Sequence, residues 1–181
     1  SRGLGDVYKR QIDKDTSGVL VLARNRKTAD LLTKAFREHT LKKTYLALVR
    51  GVPAKEYGEI KAPLEKADGR VQVLEGGKPA VTEYQVLDCV SDKYALLAAS
   101  PLTGRTHQIR AHLEFIGTPI LGDGKYFGTD REKSGMFVHK LHLHAYKIDL
   151  SSVYGRKLIV QAKLPGYFKD SLSTLGLNFR G

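Results

Sequence analysis

The sequence predicts an α+β fold, a mixed and mostly antiparallel sheet with a few helices packed on it. Three observations lead there. Short β-patterned runs follow one another closely, two turn signals read as hairpins, and only two segments have clear helical amphipathicity. At 181 residues, with 41% hydrophobic and 27% charged residues, the chain has the size and composition of one folded domain with a substantial core.

Each element is read from its pattern. The run Val19-Leu-Val-Leu-Ala23 is continuously apolar and predicts a strand covered on both faces. Residues 27–38 predict a helix, with the pairs Leu32/Phe36 and Leu31/Ala35 on one broad face. Residues 44–49 predict a buried strand ended by Gly51 and Pro53, with Tyr45, Ala47 and Val49 on one face and Leu46 and Leu48 on the other. Residues 70–74 and 81–86 flank Gly76-Gly77 and predict a hairpin; residues 86–90 and 94–100 flank Ser91-Asp92-Lys93 and predict another. A second helix begins near Thr106, places Ile109, Leu113 and Ile116 on one face, and ends at Gly117 and Pro119. Residues 143–150 and 157–164 predict two strands around the turn Tyr154-Gly155-Arg156, and a short helix follows Pro165.

Composition narrows the function. Thirty Lys and Arg against nineteen Asp and Glu give a net charge of +11, which points to a polyanionic partner, above all nucleic acid. Surface charge kept only for solubility is the alternative. Cys89 is the single cysteine, so no internal disulfide forms, and a reducing cytoplasm is the expected location. No apolar run approaches the ~20 residues of a membrane span, and the first residues do not read as a signal peptide.

Two clusters can carry chemistry. Asp13-Lys-Asp-Thr-Ser-Gly18 starts like a calcium loop, but the position that needs a bidentate glutamate is Arg24, and an apolar run stands where ligands should be. A polar turn feeding a strand accounts for it equally well. Thr103-Gly-Arg-Thr-His-Gln-Ile-Arg-Ala-His112 sets Arg105 just before a helix, His107 and Gln108 in its first turn, and Arg110 beyond. This makes a phosphate clamp, a cation partner for a carboxylate, or a solvated basic face. Tyr45 taken alone reads as a core tyrosine with a bonded hydroxyl. The six histidines lack metal-ligand spacing: His107 and His112 do not share a helix face, and His142 and His144 share a strand face suited to packing beside aromatics. Nucleophile-elbow, dinucleotide and P-loop motifs are absent, so no cofactor and no metal are expected.

In order, Asp13-x-x-Thr-Ser-Gly-Val-Leu-Val-Leu-Ala-Arg24, Lys43-x-Tyr45-x-Ala47, Leu102-Thr-Gly-Arg-Thr-His-Gln-Ile-Arg-x-His112, Pro119-Ile-Leu-Gly-Asp123 and Tyr126 resemble the RluA-like RNA pseudouridine synthases. Phe137-x-His139, Leu143-His-Ala145 and Leu164-Pro165 extend the resemblance, which covers residues 12 to about 170. It implies a cofactor-free isomerase that flips a uridine out of structured ribosomal or transfer RNA, breaks N1–C1′ and joins C5 to C1′. Asp13 matches the catalytic aspartate, Tyr45 the tyrosine against the target base, and Arg105 the basic partner of the aspartate. Gln11, Thr16, Lys43, Thr106, His107, Gln108, Ile109 and Arg110 fall at substrate-binding positions. The partner implied is RNA, the protein acting as a monomer, away from membranes and without metal.

Two departures from that pattern shape the expectations. Arg10-Gln11-Ile12 stands where the family has His-Arg-Leu, so the charged, planar fork of the family's arginine is replaced by a neutral amide. Residues 1–11 read as an atypical, foreign segment, and residues 12–181 as a catalytic domain lacking upstream strands. A non-catalytic RNA-binding fragment is the rival reading and needs no ionised Asp13. A histidine-based metal hydrolase is a third and fails on spacing.

Overall fold

Strand β2 (Lys42–Arg50) is the spine of the sheet, because its two faces carry two different sets of apolar side chains. The computed structural model describes residues 12–127 and 140–181. Among these, seven strands form one sheet in the order β1 (Ser17–Gly18), β8 (Leu143–Asp149), β2, β7 (Tyr94–Pro101), β6 (Val81–Val90) and β3 (Tyr57–Lys61), with β9 (Ile159–Gln161) also pairing with β8. Every pairing is antiparallel except β1 with β8. This is the α+β class expected from the pattern. Four helices accompany the strands: α1 (Arg26–Arg37), α2 (Gln108–Phe115), α3 (Ser151–Tyr154) and α4 (Gly166–Leu175).

The alternation along β2 holds. Ala47 and Val49 pack with Leu97, Ala99 and Leu143 under Ile109 and Leu113 of α2. Leu46 and Leu48 face the other way, onto Leu96 and onto Phe168 and Leu172 of α4. The sheet thus lies between α2 and α4, and the helix expected after Pro165 covers a whole core layer. Helix α1 is stapled at its start by Asn25, whose side chain accepts from the Thr28 N–H at 2.9 Å. It packs Leu32 and Ala35 against Val19, Ile148 and Leu150. Leu31, expected on the same face, is exposed.

The structure corrects four local expectations. The apolar run 19–23 is not a doubly covered strand: Val19 is buried, but Leu20 and Leu22 are 51% and 64% exposed, and the strand proper ends at Gly18. Residues 70–74 do not pair with 81–86. Instead β5 (Arg70–Val73) pairs with β4 (Leu64–Ala67) in a separate two-stranded ribbon, turned at Asp68-Gly69, while β6 runs on to pair with β3 and β7. The expected β6–β7 hairpin is present, with Ser91 in left-handed backbone at its turn. The last hairpin is shorter than expected, because α3 occupies part of its connection. Helix α2 starts at Gln108, so His107 is its N-cap residue rather than part of its first turn.

Candidate active site

Asp13 sits in a tight turn whose carbonyl accepts the Thr16 N–H at 3.0 Å. That turn feeds β1, which is fastened to β8 by the parallel bridges Ser17–His144 and Gly18–Ala145 and by the Val19 N–H donating to Ala145 at 2.8 Å. Gly18 is required there: at φ 115, a Cβ would come 2.2 Å from the Ala145 carbonyl oxygen. Ser17 adds a 2.8 Å hydrogen bond between its hydroxyl and His144 Nδ1. The Asp–Thr–Ser–Gly motif is therefore a device for holding a carboxylate at a sheet edge.

Opposite it stands Arg110, on α2. Its Nη1 lies 3.3 Å from Asp13 Oδ2, and its Nε and Nη2 each donate at 2.7 Å to the two oxygens of Asp123. Asp123 is completely buried and also accepts from the N–H groups of Lys125 and Tyr126. The Tyr126 ring lies beneath the Arg110 guanidinium, 4.9 Å from its centroid. Arg110 is fixed by Asp123 along one edge and by the Tyr126 ring on one face, with its Nη1 left for Asp13. A bidentate pair with Asp123 supports a guanidinium that a lone arginine would hold loosely. His107 Nε2 lies 3.9 Å from the other Asp13 oxygen.

Asp13, His107 and Arg110 line a cleft of about 940 Å³, which also receives Tyr45, Lys43, Thr106 and Ile109. That is at the upper end of the size of small-molecule sites, roughly 300–1,000 Å³. Burial, and then the Asp13 charge, push the Tyr45 hydroxyl up to about 12, so the phenol is neutral at physiological pH. Burial holds the Lys43 ammonium below its ordinary value. Thr16 is buried, and among the described residues its hydroxyl is the one buried side-chain polar atom without a protein partner.

Not every expected residue takes its expected place. Arg105 is not the partner of Asp13: it is exposed, and its Nε donates to the Pro79 carbonyl at 3.1 Å, at the rim of the cleft. Arg110, expected to touch substrate, is the ion-pair partner instead. Gln108 is not free to bind substrate either. Its amide nitrogen donates to the Val81 carbonyl and the Thr82 hydroxyl, and its oxygen accepts from Thr103 and the Arg105 N–H, so its capacity is spent on joining β6 to α2. Gln11 lies outside the described residues, as do the whole segment 1–11, Phe137 and His139. His39, which no motif marks, stands at the cleft with Lys43 and Arg105; burial first, then those two charges, disfavour its protonation. Asp123 and Tyr126 had no role assigned from sequence, although a Gly-Asp pair followed three residues later by Tyr was the available signal.

The other described histidines, His112, His142 and His144, are structural. His112 bonds the Thr82 hydroxyl and the Ala62 carbonyl, and His142 bonds Ser171. His142 and His144 both lie against Phe168, as their strand alternation implied. No group of three or more His, Cys, Asp or Glu among the described residues is placed to hold a metal ion, and no described helix is long and apolar enough to cross a membrane.

Fold and site together define a class: an antiparallel-sheet domain with a basic surface and an arginine-held carboxylate at the floor of an open cleft. Comparison with known proteins narrows it. Residues 9–115 match the family model described as RNA pseudouridylate synthase. The chain is 38% identical over 174 residues to the ribosomal large subunit pseudouridine synthase C of Rickettsia bellii, covering 93% of this chain and 57% of that protein. It is 36% identical to an uncharacterised RNA pseudouridine synthase of Zymomonas mobilis, covering 88% of this chain and 74% of that one. Among solved structures, human RNA pseudouridylate synthase domain containing 4 superposes with a TM-score of 0.79 at 31% identity, covering 96% of this chain and 77% of that chain. The chain belongs to the RNA pseudouridylate synthase family, in its RluA-like branch. It spans a little over half the length of the synthase C relative from Rickettsia bellii.

Proposed function

We propose that this chain isomerises uridine to pseudouridine in structured RNA, with ribosomal RNA the favoured substrate because the names of several relatives specify the ribosomal large subunit. Transfer RNA is the second substrate class. The observation that carries the reading is the Asp13–Arg110–Asp123 chain at the floor of a nucleotide-sized cleft. In the reaction the N1–C1′ bond breaks, a C5–C1′ bond forms, and the proton lost from C5 is balanced by one gained at N1. Both routes open to Asp13, attack at C1′ and abstraction of a sugar proton, need an ionised carboxylate. Arg110 donates from Nη1 to one of its oxygens at 3.3 Å. Tyr45 enters as a neutral phenol, offering a ring face to the base and a hydroxyl that can pass a proton on but not hold a charge.

A stacked uridine is out of reach of this floor, so it must be flipped, at a cost of a few kcal/mol. The +11 charge supplies sequence-independent phosphate affinity that offsets it. Lys43, Arg105 and His39 line the cleft, and in this reading they meet the phosphates beside the flipped nucleotide.

The test is Asp13→Asn. Incubated with RNA lacking the modification, the parent chain should form pseudouridine, read by nucleoside chromatography after complete digestion. The Asn variant should form none while binding the RNA within about threefold of the parent. Turnover by the variant at a rate comparable to the parent's would remove Asp13 from the chemistry.

A further inference from the structure

Behind the cleft wall, a second chain of contacts runs beside the ion pair. Tyr126 is 1% exposed. Its phenol oxygen accepts the Val71 N–H at 3.1 Å and lies 3.0 Å from His107 Nδ1. A phenol carries one proton, and Val71 is a donor, so that proton has Nδ1 as its available acceptor. Were Nδ1 to hold the imidazole proton instead, the phenol O–H would be buried with nothing to donate to, which costs about 1–3 kcal/mol. Complete pairing makes Tyr126 the donor and places the imidazole proton on Nε2. Nε2 is the nitrogen that faces Asp13. His107 adopts left-handed backbone to stand there, φ 51 and ψ 20, a conformation that non-glycine residues rarely keep without a local reason.

Resting on the reading of Asp13 as the reacting carboxylate, we propose that Tyr126 and His107 are positioning residues. Tyr126 locks His107 in the Nε2–H tautomer, and that N–H holds one Asp13 oxygen while Arg110 holds the other. The 3.9 Å separation is long for a hydrogen bond, and such contacts tighten when substrate closes the site. Arg110, Lys125, Asp123 and Asp13 all act on the ring, and Arg70 caps the Tyr126 side, 5.7 Å from its centroid. Burial, Arg110 and Lys125 keep the imidazole neutral against the pull of the two aspartates. Neutrality matters, because a protonated Nδ1 would have to donate and would displace the tyrosine proton. The ribbon β4–β5 thereby reaches the carboxylate through one backbone N–H, that of Val71.

The experiment reads the tautomer directly. In the full chain labelled with 15N-histidine, long-range proton–nitrogen correlation should show His107 as Nε2–H, its signal identified by its loss in His107→Asn. Tyr126→Phe keeps the ring under Arg110 and removes the proton donor. It should give a mixture of tautomers, slow single-turnover pseudouridine formation about 10- to 100-fold, as small misplacements of reacting groups do, and leave RNA affinity within twofold. With Nδ1 free to take a proton, the acid limb of its pH–rate profile should move to higher pH. An Nδ1–H tautomer in the parent, or a Tyr126→Phe variant with the parent's rate and acid limb, would overturn the proposal. Should circular dichroism show Tyr126→Phe unfolded, His107→Asn decides, since asparagine tolerates left-handed backbone: a rate within twofold of the parent's would overturn it equally. A parent chain that forms no pseudouridine counts against the proposed function alone and leaves the tautomer measurement to judge this inference.

Discussion

Thr16 shows how much a single residue of the site can report. Its backbone N–H is satisfied by Asp13, yet its hydroxyl is buried in the wall of the cleft without a protein partner. A buried, unpaired hydroxyl destabilises a fold by about 1–3 kcal/mol, so a residue kept for packing alone would be better as valine, which has the same shape. Thr16→Val should therefore raise the unfolding free energy by about 1 kcal/mol in denaturant titration while lowering single-turnover pseudouridine formation, and Thr16→Ser should restore most of the rate. A valine variant that is both less stable and fully active would show that Thr16 is a packing residue. Local pattern left Asp13 and Tyr45 open to bland readings; the family resemblance singled out these two and Thr16, and all three line the cleft. The resemblance put Arg105 against Asp13, and Arg110 stands there instead. Both are cations beside the start of α2, and which one meets Asp13 depends on where that helix begins and how it crosses the sheet.

At the level of elements, β2 was legible from an apolar run with two distinct faces, and the β6–β7 pairing from the turn signal Ser91-Asp92-Lys93 between them. The ribbon β4–β5 escaped for a physical reason. Leu64–Ala67 has glutamate, lysine and alanine, which have little β preference. The decisive signal was Asp68-Gly69, both with positive φ, as a two-residue hairpin turn of type I′ requires. Gly76-Gly77 is also a turn, but it returns the chain to β4 through the Leu64–Lys78 bridge instead of pairing β5 with β6. The apolar run at 19–23 misled because a continuous run usually means two covered faces, and here α1 covers one. The two-residue strand β1 could not be read from pattern at all, although it positions Asp13. Gly18→Ala tests that role. Its Cβ would meet backbone of β8, which cannot move aside as a side chain would. The variant should lose more than about 2 kcal/mol of stability, or fold with β1 detached and pseudouridine formation abolished. Amide hydrogen exchange at Val19, whose N–H bonds Ala145, distinguishes the two. Unchanged protection there and unchanged activity would refute the anchoring role.

The molecule as a whole combines a net charge of +11 with histidines held neutral inside it. His107, His112, His142 and His144 all have their protonation disfavoured, in each case chiefly by burial. Their folded-state values lie below the ordinary 6.5, so the unfolded chain binds more protons once pH drops under that value. The stability they contribute is complete above about pH 6.5 and is lost as pH falls toward their folded-state values. Each histidine adds up to about 1.4 kcal/mol per pH unit to the slope. Self-repulsion of a basic chain acts in the same direction as histidines gain charge, but salt screens it, whereas the difference in proton affinity between folded and unfolded states of buried groups persists. Denaturant unfolding at pH 7.5, 6.5 and 5.5 should show a loss of several kcal/mol across the lower interval and little across the upper, and most of that loss should remain in high salt. Stability that is flat down to pH 5.5, or a pH dependence that high salt abolishes, would mean that the basic surface and not the buried histidines sets the acid limit of this fold.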